Sequence, residues 1–139
     1  MAIKITKADS FFSKCIRLAA DYQCQRCGAQ HDASSKGLHC AHYHSRGIWS
    51  IRHDPLNAAA MCYGCHSYID SHPAEKLQWF AQHLGNKNVE ILLEKKQNSK
   101  SGRKREQKEI TQHYKAEFER MMQLRADGYL GKMQLVGYQ

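Results

Sequence analysis

Two C-x2-C pairs constrain this chain more than any other feature of its sequence. The first pair is Cys24 and Cys27, and the second is Cys62 and Cys65. Zinc binds four thiolates in a tetrahedron, and paired C-x2-C turns are a strong sequence signal for such a site. Chance pairs or two disulfides are the alternative interpretation. The sequence therefore predicts a structural Zn²⁺ that joins two segments distant in the chain.

Length, charge and expected compartment agree with a metal site. The chain has 139 residues, about the size of one domain. Only 42% of the residues are hydrophobic, and a bound metal adds folding free energy to a modest core. The net charge of +8 and the pI near 9.3 favour a polyanion such as DNA, RNA or an anionic membrane face. Because the sequence lacks a membrane-spanning run and a secretory signal, we expect a reducing cytoplasm in which cysteines bind metal.

Helical patterns flank the two cysteine pairs. Thr6 caps a predicted first helix, and Asp9 lies three residues on in a capping-box arrangement. The apolar stripe of this helix recurs at helical spacing: Phe11, Cys15, Leu18 and Tyr22. Beyond the second pair, a helix is predicted to begin at Pro73 and to stop at Gly85, and a short one follows over residues 89–96.

The segment between the cysteine pairs begins without a helical period. A turn signal separates two short stretches, residues 30–33 and 38–42, which we predict to be the arms of a hairpin. A loop follows over residues 45–55. Asn57 would then cap a second helix that begins at Ala58. This helix would present four residues on one face: Cys62, Cys65, His66 and Ile69.

Residues of the types that phosphodiester hydrolysis needs lie in this segment. His42, at the end of a predicted strand, offers an imidazole whose pKa suits a general base. A backbone carbonyl or an asparagine side chain, such as that of Asn57, can hold a base in one tautomer. His66 could bind a divalent ion that absorbs charge on the phosphate. Arg46 could add transition-state stabilisation.

With these spacings the sequence resembles the HNH endonucleases (His-Me finger, ββα-metal) that carry a four-cysteine structural zinc. The resemblance covers residues 22–85, and its His42-Tyr43-His44-Ser45-Arg46 motif is most similar to phage recombination nucleases of the NinG/Rap kind. The resemblance implies that His42 is the general base and that Asn57 supports its loop. It implies that His66 binds a catalytic ion, Mg²⁺ or Mn²⁺. It also implies that Arg46 and Arg52 hold phosphate.

The position before the base departs from the family pattern, which usually has an acidic or histidine metal ligand there. In this chain that residue is Ala41, which has no donor atom. His39 shares strand parity with Ala41 and lies about 6.6 Å away at a rise of about 3.3 Å per residue. We assign the second ligand position to His39, with Cys40 and Asp70 as weaker alternatives.

Composition changes after residue 94. Residues 95–105 are strongly basic, and three of them are expected to add nonspecific DNA affinity: Arg103, Lys104 and Arg105. A late helix follows, with an apolar stripe that we interpret as core or as a dimer interface: Ile110, Tyr114 and Phe118. The predicted division is a nuclease domain over residues 1–94 and a basic linker with a C-terminal helical extension over residues 95–139.

The whole sequence predicts an α+β protein, with a small zinc-stapled ββα-metal core flanked by helices and a basic helical C-terminal extension. We predict a metal-dependent DNA endonuclease in phage recombination, repair or processing, located in the bacterial host cytoplasm. We expect the protein to bind DNA and do not expect it to bind a membrane. The sequence does not distinguish between branched, nicked and single-stranded DNA as the substrate. It is also compatible with a homodimer or with a recombination-protein partner. The alternative is a non-catalytic zinc-stapled nucleic-acid-binding module, for which Ala41 is the main argument.

Overall fold

The first helix begins where the sequence predicts. The computed structural model describes residues 3–98 and 102–138, and helix α1 spans Lys7–Ala19. The Thr6 hydroxyl accepts a hydrogen bond from the Asp9 N–H at 3.2 Å. The Asp9 carboxylate accepts one in return from the Thr6 N–H at 2.8 Å. This reciprocal pair is a capping box, which satisfies two backbone donors that a helix N-terminus otherwise leaves unpaired.

The two strands form an antiparallel hairpin, but not the predicted one. Strand β1 spans Leu38–His42 and pairs with β2, Ala58–Cys62. The register aligns the strand ends: Leu38 with Cys62 and His42 with Ala58. The prediction that residues 30–33 form the partner arm is wrong, because Gln30 makes only an isolated bridge to Gln23.

The second helix begins later than predicted. Helix α2 spans Tyr63–Ser71, and the stretch from Ala58 that was expected to open it is strand β2. Residues 58–61 are all buried, since β2 packs against both α1 and α2. Burial on both sides outweighs the helix propensity of alanine here. The expected cap at Asn57 is therefore corrected: Pro55–Asn57 is a 3₁₀ turn, and Cys62 is the residue that caps α2.

The remaining helices follow the sequence patterns closely. Gly85, with φ of 81°, ends α3 as predicted, and α4 is longer than expected. Within the described ranges every helix is too short or too polar to cross a membrane. The four later helices have these bounds: α3 Pro73–Leu84, α4 Asn86–Gln97, α5 Gly102–Arg105 and α6 Gln107–Ala126.

Helix α6 packs along α1 and completes the core. The Phe12 and Tyr114 ring centroids lie 5.0 Å apart, and Ile110 is fully buried in the same cluster. The Met133 N–H donates to the Ala19 carbonyl at 2.8 Å, so the C-terminal segment returns to the end of α1. The late apolar stripe is therefore core. The fold is mixed α+β, and the predicted boundary after residue 94 stays a prediction.

Candidate functional site

Four cysteines converge beside the hairpin. Cys24 and Cys27 come from the turn after α1, Cys62 ends β2, and Cys65 lies in the first turn of α2. Their sulfur atoms all lie within 4.8 Å of one another. The Cys27 and Cys62 Sγ atoms are 3.8 Å apart. That separation matches the edge of a sulfur tetrahedron, about 3.8 Å for a Zn–S distance of about 2.3 Å.

The donor set of this cluster fits a structural metal ion such as zinc. All six cysteines of the chain lie in the described ranges, and none is in a disulfide. The Cys27 N–H donates to the Cys24 sulfur at 3.4 Å, and the Cys65 N–H donates to the Cys62 sulfur at 3.5 Å. The Arg26 guanidinium lies 3.3 Å from the Cys65 sulfur. Such donors stabilise thiolates, the form of cysteine that binds metal.

Two histidines and an aspartate form a second cluster between β1 and α2. His39 lies in β1, and His66 and Asp70 lie in α2. The Nδ1 atoms of His39 and His66 lie 3.0 Å apart, with the ring planes at 79°. The His66 Nε2 lies 3.2 Å from a carboxylate oxygen of Asp70, which also binds Lys76 at 3.0 Å. This layout resembles a carboxylate–histidine pair that orients a metal ligand, with Asp70 on the ring nitrogen facing away from His39.

The His39–His66 pair is suited to a cation shared between its two Nδ1 atoms. Two imidazole nitrogens at about 2.1 Å from one ion lie about 3.4 Å apart at the tetrahedral angle and about 3.0 Å apart at a right angle, as in octahedral coordination. Burial lowers the pKa of His66, Asp70 opposes this shift, and the positive charge of Arg46 adds to it. The imidazole is therefore neutral near pH 7, as metal binding requires. Among the described residues only the cysteine cluster gathers three or more metal-ligand side chains, so protein ligands at this second site number two.

His42 ends β1 and is fixed by a backbone carbonyl. Its Nε2 lies 3.2 Å from the carbonyl oxygen of Arg52. Since a carbonyl only accepts, the proton is on Nε2 and the lone pair on Nδ1. Burial lowers the pKa of His42 to about 4, and the charge of Arg46 also lowers it. The arrangement is thus a neutral imidazole in one tautomer, the form that can take a proton from water, although a pKa of about 4 makes it a weaker base than a free imidazole.

Asn57 fastens the loop that follows His42. It is completely buried. Its side-chain oxygen accepts from the His44 N–H at 2.8 Å, and its amide donates to the carbonyls of His44 at 3.1 Å and Ile51 at 3.3 Å. Its own carbonyl accepts from the Tyr43 N–H at 2.9 Å. These four bonds tie the start of the loop to its end, next to His42.

Arg52, expected to hold phosphate, is instead buried inside the protein. It is 2% exposed, and its guanidinium binds both carboxylate oxygens of Asp9, at 3.0 and 2.6 Å. Further bonds run to the carbonyls of Lys4 at 2.8 Å and Arg46 at 3.2 Å. The side chain has no surface to offer a phosphate. Its role in this structure is to fix the backbone whose carbonyl holds His42.

Sequence reasoning missed the network that supports Arg52. Asp9 also binds His53 at 2.8 Å, and the Tyr114 hydroxyl donates to the His53 carbonyl. Burial alone would raise the pKa of Asp9, but bonds from His53 and Arg52 hold it well below its usual range. The capping box identifies Asp9 as a helix cap. No sequence signal pairs it with Arg52, 43 residues later.

The remaining residues that the sequence singles out differ in burial and in their contacts. Arg46 is half-buried and free of ion pairs within the described residues, so it can meet an anion. Cys40 lies outside the four-cysteine cluster, and burial raises the pKa of its thiol to about 12. The Lys104 ammonium lies 6.0 Å from the Trp49 ring centroid, and Arg105 is exposed. The Arg103 side chain, like residues 99–101, falls outside the described part.

Comparison with protein-family models, with curated proteins and with solved structures gives no significant match to this chain. The case for any function therefore comes from the geometry above. That geometry joins His39 to His66 and His42 to the Arg52 carbonyl. Within the described residues, His42 and His66 share no hydrogen bond or ring contact. Arg46 links the two histidines electrostatically, because its charge lowers the pKa of both.

Proposed function

We propose that this chain is a metal-dependent DNA endonuclease of the HNH type, with a structural zinc on its four cysteines. The observation that carries the proposal is the environment of His42. A neutral imidazole at the end of β1 has its Nε2 proton engaged by a backbone carbonyl, which leaves Nδ1 as a base. A backbone carbonyl also fixes the ring of His113, so the tautomer supports a catalytic role for His42 because this histidine lines a groove with His39 and Arg46.

In the proposed reaction His42 takes the proton of the attacking water at Nδ1. Asn57 keeps the adjoining loop closed, so the base stays in position. Arg46 meets the charge that develops on the phosphate. A divalent ion held by His66 and His39 would neutralise charge on the phosphate and the leaving oxygen. Mg²⁺ and Mn²⁺ both prefer oxygen ligands, so beside two imidazoles the remaining ligands of either ion would be phosphate and water oxygens.

A non-catalytic zinc-stapled nucleic-acid-binding module is the second candidate. Ala41 is the observation that favours it, because this fully buried residue lies where HNH enzymes usually have a metal ligand. Only two protein ligands then stand beside the proposed ion. The two candidates differ in what they need from His42, since binding alone does not require a base.

Cleavage of plasmid and branched DNA with added Mn²⁺ or Mg²⁺ tests the proposal. We expect the wild type to cut, and His42→Ala to lose cleavage by about 100-fold or more while DNA binding stays within a few-fold. His113→Ala is the matched control, because the ring of His113 also bonds a backbone carbonyl, that of Val136 at 2.8 Å. This control should cut like the wild type.

The outcomes separate the two candidates. Cleavage that survives His42→Ala removes the base assignment. Absence of cutting by the wild type, with salt-sensitive DNA binding retained, favours the binding module. The proposal extends to action in phage recombination in a bacterial cytoplasm, as a homodimer or with a recombination-protein partner. The ends of the products from branched and single-stranded DNA would show which DNA the enzyme prefers.

A further inference from the structure

A groove of about 540 Å³ lies between α1 and the beginning of the hairpin. One wall is the side of α1 that carries Ser13 and Arg17, and the other consists of residues 34–36 and β1. His39, His42 and Arg46 line the same groove. It therefore opens directly onto the candidate catalytic residues.

The groove carries positive charge that the protein itself does not neutralise. Four cations line it: Lys14, Arg17, Lys36 and Arg46. Within the described ranges none of the four forms an ion pair. The single acid in the lining, Asp9, has its carboxylate engaged by Arg52 and His53. A concave site lined by one sign of charge attracts an anionic ligand.

The dimensions of the groove fit one polynucleotide strand. β1 advances about 13 Å from Leu38 to His42, at about 3.3 Å per residue. Phosphates of one strand are spaced about 3.4 Å along the axis of a duplex and more widely in an extended single strand, hence at most about four phosphates lie over that length. Of the serines that line the groove, Ser13 can donate its hydroxyl to a phosphate oxygen. The hydroxyls of Ser10, Ser34 and Ser35 are bonded within the protein, to Thr6, Asp32 and His31. The volume suits a short segment of one strand and is far too small for the width of a duplex.

We propose that this groove binds one strand of nucleic acid through consecutive phosphates and leads it to His42. The strand enters beside Lys36, passes Arg17 and Lys14, and reaches Arg46 at the candidate site. The cleavage consequence rests on the proposed endonuclease function. Strand binding itself does not, because it needs no catalytic step.

Binding of a fluorescent single-stranded oligothymidine to the zinc-loaded full chain, without added Mg²⁺ or Mn²⁺, tests the groove. The variant Lys14→Gln/Lys36→Gln removes two exposed charges from it. We expect affinity near 0.1 M salt to fall about tenfold. The slope of log affinity against log salt should fall by about 1.4, or about 0.7 for each lost phosphate contact on a single strand.

The matched control removes two exposed lysines that do not line the groove, Lys87→Gln/Lys132→Gln. It should change the affinity no more than about twofold. Equal losses in the two variants would overturn the proposal, because the effect would then reflect net charge alone. The duplex of the same oligothymidine with oligoadenine should compete less well than the single strand. If the duplex competes equally, and with equal dependence on Lys14 and Lys36, the proposal of a single-strand groove is also overturned.

A cleavage arm keeps this inference distinct from the endonuclease proposal. With Mn²⁺ present, the groove variant should raise KM about tenfold with little change in kcat, since it loses strand binding rather than the base. His42→Ala should lower kcat instead. If the wild type never cuts, the endonuclease proposal fails, and the binding experiment alone still decides whether the groove holds a strand.

Discussion

The cysteine cluster and the histidine site meet at the junction of β2 and α2 but are assembled in different ways. Each C-x2-C pair is closed locally, by an N–H···S bond between residues three apart, at 3.4 and 3.5 Å. The histidine site depends on longer connections. His39 reaches His66 because β1 pairs with β2, and His42 bonds a carbonyl whose residue is held by Asp9, 43 positions earlier.

This difference assigns the two regions different tasks. The cysteine cluster joins the turn after α1 to the hairpin and to α2, so a metal there contributes directly to folding. The histidine site uses the hairpin that results, and its geometry depends on the buried network around Asp9. Perturbing the cluster should therefore remove both regions, whereas perturbing the network should damage the histidine site and leave the metal cluster intact in the folded protein.

Loss of one cluster ligand is the largest expected effect. Cys62→Ser replaces a residue that is both a cluster ligand and the cap of α2. Structural zinc supplies about 10–16 kcal/mol of binding free energy in zinc-finger peptides, which exceeds the usual stability of a domain. We expect the variant to be unfolded and free of zinc. Circular dichroism and the zinc content of the purified protein measure this.

Cys40→Ala is the matched control for the loss of a cysteine. Cys40 lies on β1 outside the cluster, and its thiol is neutral. This variant should keep its zinc and its cooperative unfolding transition. A folded Cys62→Ser protein without metal would show that the cluster is not what stabilises the hairpin, and the contrast between the two regions would disappear.

Removal of the buried carboxylate should have the next largest effect. Asp9→Asn leaves the guanidinium of Arg52 buried without a countercharge. Breaking a buried ion pair by removing one partner costs about 3–5 kcal/mol. Urea unfolding measures this loss. Zinc content should be unchanged in the folded fraction, while the ¹⁵N shifts of the His42 ring should show that the Nε2–H tautomer is no longer fixed.

Asp32→Asn is the control, since Asp32 is an exposed aspartate in a turn whose carboxylate accepts from the N–H and the hydroxyl of Ser34. Its effect on stability should stay within about 0.5 kcal/mol. An Asp9→Asn variant that keeps both wild-type stability and the His42 tautomer would disprove the idea that this network positions the histidine.

The contrast between local and distant connections also explains which features the sequence could predict. The two C-x2-C pairs of the cluster, the Thr6–Asp9 cap and the stop at Gly85 are encoded within a few residues, and the sequence predicts them. The partner of β1 was not, because Ala58, Ala59 and Ala60 have helix propensity and become a strand only when α1 and α2 cover them.

The arginines of the candidate site show the same limit. Arg46 and Arg52 lie in one loop and have the same chemistry in the sequence. Only the fold reveals that Arg52 pairs with Asp9, whereas Arg46 forms no ion pair within residues 3–98 and 102–138. Whether an arginine pairs with a buried carboxylate or stays available to a ligand depends on residues far away in the chain. Patterns in a single sequence do not encode such distant pairs.

The smallest expected effect concerns the pH dependence that His42 gives to stability. Burial lowers its pKa from 6.5 to about 4 in the folded protein. Between these values the unfolded chain binds a proton that the folded protein does not, so stability falls as pH falls through this window. At about pH 5 the cost relative to about pH 7 is about 2 kcal/mol. Urea unfolding at both pH values measures it.

His42→Gln isolates this contribution, because glutamine fills a similar volume and does not titrate. The wild type and the variant share the other histidines and the cysteine cluster, so the difference between their two pH dependences belongs to His42. We expect the variant to lose about 2 kcal/mol less than the wild type on acidification. If both proteins lose the same stability, His42 is not buried as a neutral imidazole. The proposed role of His42 as a general base would then lack support. The proposed metal site on the four cysteines would not depend on this result.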